Sequence, residues 1–207
     1  AGGEAVRDLL GTCSDRIRSY PPQLFGVMRR SGLLPEVLIL GPERVVADER
    51  NAELDVLVRD KMLNDIKTCR DEFGVSALFV SHDIADLVET TEYLIEMYGG
   101  KITERGPSTE MFKEPVHPYT IGLKGSLPDL HSTTEEMIAM KMQPPNLHNS
   151  PEGCRFKNKC PFAVEECETA HPELREERPG IETACYRASD AETMRAESTR
   201  VDWSDVE

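Results

Sequence analysis

Four of the six cysteines crowd together, spaced Cys154-x5-Cys160-x6-Cys167-x17-Cys185. Thiolates suit soft and borderline metals, and four of them can close one coordination shell. The stretch around them is rich in proline and short of apolar periodicity, so a bound metal would supply stability that it lacks as a core. Two disulfides, or four reduced thiols, are the alternatives. A chain of 207 residues whose first half reads as α/β is not the small secreted scaffold in which disulfides concentrate. Cys13 and Cys69 stand outside the cluster and read as buried or semi-exposed thiols.

A second constellation lies at two strand ends. Val45-Val46-Ala47-Asp48-Glu49 is an apolar run closed by two carboxylates, and Ser76–Val80 is followed by Ser81-His82-Asp83. In α/β sheets ligands collect beyond the carboxyl ends of strands. Acids there can hold Mg²⁺ and orient a water against a phosphate. For the pentapeptide alone an ordinary strand capped by exposed acids is the better reading. A lone histidine at a strand end is usually structural, but a carboxylate pair and a histidine at the ends of successive strands are less easily dismissed. His117, His131, His148 and His171 have no paired ligand spacing and read as surface or packing residues.

The elements that must position these groups follow from periodicity. None of the 14 prolines falls within residues 43–106. There the chain reads as strand 44–47, helix 56–71 with Gly74 as its stop, strand 76–80, helix 84–90, and strands 93–98 and 101–105 joined by Gly99-Gly100. That order predicts a parallel α/β sheet with an antiparallel edge hairpin. Residues 107–187 are Pro-rich and Cys-rich, with a helix opening at His117-Pro118-Tyr119-Thr120 and running to Leu127. Met137–Met142 reads as a turn or two of helix. Residues 188–207 are small, polar and acidic and read as a disordered tail, in which Trp203 has no evident role. With 38 acidic against 24 basic residues the net charge is −14, which argues against nucleic-acid binding, since that runs on clustered Lys and Arg. No apolar run is long enough to span a membrane, and Ala1-Gly2-Gly3-Glu4 has no signal-peptide character.

Tyr20-Pro21-Pro22-Gln23-Leu24-Phe25-Gly26-Val27-Met28-Arg29 resembles the YPHQLSGGMRQ segment of ABC-type ATPases. Asp48-Glu49-Arg50-Asn51-Ala52-Glu53-Leu54-Asp55 resembles their DEPTTALD, and Ser81-His82-Asp83 their switch histidine. Gly106-Pro107 leading to His117-Pro118-Tyr119-Thr120, with the cysteine-rich end, is most similar to the ATP-binding subunits of peptide and nickel transporters. The resemblance runs over nearly residues 5–187. It implies an α/β fold: a partial ABC-type ATPase core over residues 1–106, with a Pro/Cys-rich metal-binding extension over 107–187. It further implies that Asp48 holds Mg²⁺ through water, Glu49 polarises the attacking water and His82 meets the γ-phosphate. Asp55 would couple the two ATP sites of a dimer. Phe25, Gly26, Val27 and Met28 would offer backbone N–H groups to ATP on a sister ATPase subunit. Neither short cysteine interval fits the C-x2-4-C knuckle of zinc sites, and Cys160-Pro161 has the Cys-Pro step of ferredoxin-type clusters. The resemblance implies a [4Fe–4S] cluster on the four cysteines, with Zn²⁺ as the alternative.

Where the family has Ser-Gly-Gly this chain has Phe25-Gly26-Val27, and Arg50 stands for the usual proline. Gly32 and Pro35 interrupt what the family makes a long helix, and Val37–Leu40 by itself reads as a strand. No G-x-x-x-x-G-K-[ST] occurs, and Gly99-Gly100-Lys101 belongs to a hairpin turn. The phosphate loop and glutamine loop are therefore expected upstream of Ala1. The expected protein is the C-terminal portion of the ATP-binding subunit of a peptide-type ABC importer. It would work with transmembrane permease subunits, peripheral on the cytoplasmic face of the cell membrane. Its rivals are a catalytically inactive interaction or regulatory remnant that keeps the metal-binding part, and a stand-alone metal or redox protein.

Overall fold

The computed structural model describes residues 41–48, 64–68, 70–72, 74–127, 138, 140, 145 and 147–203. The chain forms two units, Ala1–His82 and Asp83–Glu207.

In the first unit β1 (Arg44–Asp48) and β2 (Ser76–Val80) run parallel, from Arg44 opposite Ser76 to Asp48 opposite Val80. Residues 64–68 and 70–72 are helical, as the spacing predicts. Gly74, at φ +66, ends that helix and returns its N–H to the Arg70 carbonyl at 3.0 Å. Ala47, Ile66 and Val75 are buried, whereas Val46 is 64% exposed and Leu78 and Val80 are exposed too. The expectation of two buried strands is thus corrected. A parallel pair needs cover on both faces, and the described residues cover little of this one.

The second unit opens with α1 (Ile84–Thr90), whose N-terminus is capped by the Asp83 carboxylate; it accepts the N–H groups of Ala85 and Asp86 at 3.1 and 3.4 Å. The expected hairpin is β3 (Tyr93–Tyr98) and β4 (Lys101–Pro107), turned at Gly99-Gly100, both with positive φ. Then come α2 (Ser108–Lys113), α3 (Pro118–Gly125), α4 (Glu166–Thr169), β5 (Arg175–Arg178), β6 (Ile181–Thr183) and α5 (Ala191–Glu197). The sheet order is β3-β4-β6-β5, antiparallel throughout. The expectation of the hairpin as the edge of the parallel sheet is therefore corrected: among the described residues its partner is β6. The close packing is visible at Gly106, where a Cβ would stand 2.5 Å from Ile181 Cδ1 and 2.9 Å from the Gly180 carbonyl.

The disordered-tail expectation is overturned for residues 188–203. Arg187 pairs with Asp190 at 2.9 Å, α5 follows, and Arg195 donates to the Pro115 carbonyl at 2.8 Å. Met194 and Trp203 are buried. The Trp203 indole donates to the Ser198 carbonyl at 2.7 Å and meets the Phe162 ring edge-on with centroids 6.0 Å apart. Two large apolar side chains are enough to hold an acidic segment that composition alone marks as solvated. Phe156 sits at the centre of the core, its ring centroid 5.1 Å from that of Tyr98 and 5.3 Å from that of Tyr119.

The hairpin carries two carboxylates face to face, Glu96 opposite Glu104. Partial burial, and then the Glu104 charge, raise the Glu96 carboxyl from 4.5 to about 7. The folded chain therefore binds a proton that the unfolded chain has released. Stability from this group is fully present below about pH 4.5 and declines as pH climbs to about 7. Glu96→Gln is expected to be more stable than the parent at pH 8, by roughly 1–2 kcal/mol after discounting for its half-exposed side chain. Urea unfolding at both pH extremes checks this, since the difference should vanish in acid.

Candidate functional site

Asp48 closes β1 and His82 follows β2 by two residues. Because the strands are parallel and in register, both lie at the same carboxyl edge of the pair. His82 is exposed and Asp83 is committed to the α1 cap. Glu49, Asp55, Phe25, Gly26, Val27 and Met28 lie outside the described residues, as do Cys13, Cys69 and His131.

The four cysteines of the cluster are brought together. Cys154, Cys160, Cys167 and Cys185 are free thiols, and all four line one small cavity whose other walls include His117, Phe156, Phe162 and Pro172. Tight turns set the first three. The Cys154 N–H donates to the Cys167 carbonyl at 2.8 Å, the Cys160 N–H to Lys157 at 3.2 Å, and the Cys167 N–H to Val164 at 2.9 Å. The fourth is carried on the residue pair leaving β6. Burial raises the thiols of Cys154 and Cys160 and pushes Cys185 up to about 12. Against that, backbone N–H groups face three of the sulfurs: Phe156 and Lys157 toward Cys154, Phe162 toward Cys160, and Arg187 toward Cys185 at 3.4 Å. Such donors favour the charged thiolate over the thiol. Among the described residues, no three His, Cys, Asp or Glu side chains converge as closely as one bound ion requires.

Sequence reasoning missed what stands behind this chamber. Glu104, 0% exposed, accepts the N–H groups of Val116 and His117, each at 2.9 Å. His117 is itself 1% exposed, so its packing reading holds and its surface reading does not. Its Nδ1 accepts the Tyr119 N–H at 3.0 Å as the cap of α3. Burial pulls its pKa down to about 3, which leaves a neutral ring. His148 is exposed, and His171 is half-buried beside His117.

The solved structures bear on the fold. An ATP-binding cassette of an ABC transporter, in its ADP conformation, superposes with a TM-score of 0.51 at 16% identity, over 59% of this chain and 48% of that one. The fold is that of an ABC ATPase fragment. Residues 103–167 match the family described as the oligopeptide/dipeptide transporter, C-terminal region. A probable peptide ABC transporter ATP-binding protein of Sinorhizobium fredii is 34% identical over 176 residues, covering 84% of this chain and 52% of the relative. The oligopeptide transport ATP-binding protein OppD of Escherichia coli is 34% identical over 172 residues, covering 83% and 51%. The chain thus matches the C-terminal part of such ATP-binding subunits and spans about half their length. No described helix is long and apolar enough to cross a membrane.

Proposed function

We propose that this chain is the C-terminal portion of the ATP-binding subunit of a peptide-type ABC importer, acting at the cytoplasmic face of the membrane with permease subunits and a sister ATPase. The observation that carries this is the strand register that puts Asp48 and His82 at one sheet edge, in a chain similar along most of its length to such subunits. Asp48 would hold Mg²⁺ through water, Glu49 would take the proton of the attacking water, and His82 would meet the γ-phosphate. Asp55 and residues 25–28 would serve the dimer interface, the latter presenting N–H groups to the partner's nucleotide. Magnesium-dependent phosphate release should need a polypeptide that brings a phosphate loop, and Glu49→Gln should abolish it. Release by the chain alone would overturn the composite site. No release in any combination would favour the inactive interaction module, the reading that Phe25-Gly26-Val27 supports.

The cysteine chamber is read as the seat of a [4Fe–4S] cluster, with zinc as the alternative. Four thiols on one cavity and amide donors aimed at three sulfurs fit a thiolate-bound centre. Such a centre would supply electron-transfer capacity or a fixed cross-link. The chain's own part is to present four sulfurs and exclude water. Anaerobic purification should give about four irons and four sulfides per chain, lost in Cys160→Ser. One zinc without visible absorption would reject the cluster and keep the site; alkylation of all four thiols in metal-free folded protein would reject both.

A further inference from the structure

The four sulfurs are not the only chemistry of the chamber. Among the described residues that line it, the charged side chains are those of Lys157 and Arg187, both cations. The chain has 38 acids against 24 bases, so a wall without a carboxylate runs against its composition. Both cations stand the same way round. The Lys157 ammonium pairs with Glu168, and the Arg187 guanidinium pairs with Asp190 at 2.9 Å. In each pair the cation is the less exposed member. Lys157 is 11% exposed against 63% for Glu168, and Arg187 32% against 48% for Asp190. Positive charge is thus kept at the cavity wall, with the balancing carboxylates nearer to water. The backbone of both residues is tied to the cysteines. The Lys157 N–H donates to the Cys154 carbonyl and the Lys157 carbonyl takes the Cys160 N–H, each at 3.2 Å. The Arg187 N–H donates to the Cys185 sulfur at 3.4 Å. The loop from Cys154 to Cys160 also carries Arg155 and Lys159, and no acid.

We propose that Lys157 and Arg187 are the counter-charges of the thiol chamber, fitting it to an anionic, thiolate-bound occupant. For its purpose this rests on the reading of the chamber as a metal centre, but the charge of the wall stands without it. A centre bound by four thiolates keeps net negative charge, because the ion or cluster core offsets only part of theirs. Net charge held away from water is costly unless opposite charge is near. Two cations on the wall meet that need. Four neutral thiols, or two disulfides, would have no use for them. Two surface ion pairs would by themselves say little, since such pairs are common and weak. The weight lies in their shared orientation, cation to the cavity and acid to the outside, at residues whose backbone is bonded to three of the four cysteines.

The test reads the charge of the chamber on the full chain, first without metal. Iodoacetate and iodoacetamide react with the same thiolate, one as an anion and one as a neutral molecule. The ratio of their rates at one cysteine therefore cancels its exposure and its ionised fraction, and mass spectrometry resolves that ratio thiol by thiol. Lys157→Met keeps the apolar stem and should lower the ratio at Cys154 about threefold, the size of a partly screened charge pair. Arg187→Gln should do the same at Cys185. Lys157→Arg should keep the parent ratio, and Glu168→Gln should raise it. The second reading is zinc affinity by competition with a chelator. It should weaken about tenfold or more in Lys157→Met, and hold or tighten in Glu168→Gln. The sign at Glu168 separates two roles, because a pair that only clasps two loops would lose affinity alike from either end. Equal losses from Lys157→Met and Glu168→Gln, or ratios unmoved by removing either cation, overturn the assignment. Should Lys157→Met fail to fold, Arg187→Gln and Glu168→Gln decide by the same ratios. A parent chain that binds neither zinc nor iron sinks the metal reading only, because the reagent ratios still decide the counter-charges.

Discussion

Gly153→Ala is expected to open the thiol chamber and to destabilise the second unit by more than about 3 kcal/mol. Gly153 sits at φ +75, in the left-handed region that a side chain resists. Strain of that kind alone costs about 1 kcal/mol. The larger cost is steric. A Cβ here would lie well inside contact distance of the Cys167 carbonyl oxygen and 2.8 Å from the Glu168 backbone. Backbone cannot rotate away as a side chain can, and the same carbonyl holds the Cys154 N–H. Gly180→Ala is the matched comparison, at φ +76 with its nearest neighbour, Pro107, 3.8 Å away. It should lose only the strain. Thermal melting and thiol alkylation of both variants test the argument, which fails if the two lose stability equally.

Glu104→Ala should cost about 2–4 kcal/mol, the penalty for leaving two buried amide donors without an acceptor. The carboxylate is fully buried and takes the N–H groups of Val116 and His117. Burial raises its pKa, and the two amides and the nearby Arg178 pull it back down. Part of the loss is offset, because removing one member of the facing pair relieves Glu96. Glu104→Gln keeps one carbonyl oxygen of nearly the same shape and should fall between the parent and Ala. It should also lower the pH at which Glu96 titrates, because a neutral amide no longer repels it. Urea unfolding across pH reads both effects, and a Gln variant as damaged as Ala would show that the charge, not the acceptor geometry, is what matters.

The hairpin, α1 and the helix opening at Pro118 were legible in the sequence, because each rests on a local signal. Gly99-Gly100 needs two positive φ angles, Asp83 precedes a helical run, and Pro118 stands at a first helical position. β5 and β6 were not legible. Arg175-Glu176-Glu177-Arg178 has no apolar alternation, and its extended form comes from pairing with β6. The order in residues 188–203 was hidden for a similar reason: Met194 and Trp203 are too far apart to make a pattern, yet each fills a buried place. The cysteine spacing pointed to the chamber, while Glu104 gave no sign, since a glutamate in a hairpin ordinarily faces water. Only the long-range return of β6 to β4 puts it inside.

That return also fixes an order of events during synthesis. The hairpin and the first three cluster cysteines leave the ribosome well before Thr183, and until then β4 has an open edge. Cys185 emerges directly behind the strand that closes it. A nascent chain stalled at Cys167 would hold three thiols and an unpaired strand, and would be open to oxidation and to pairing with a neighbour. Sheet closure and delivery of the fourth thiol are thus a single late step, so the chamber cannot be completed before the sheet is.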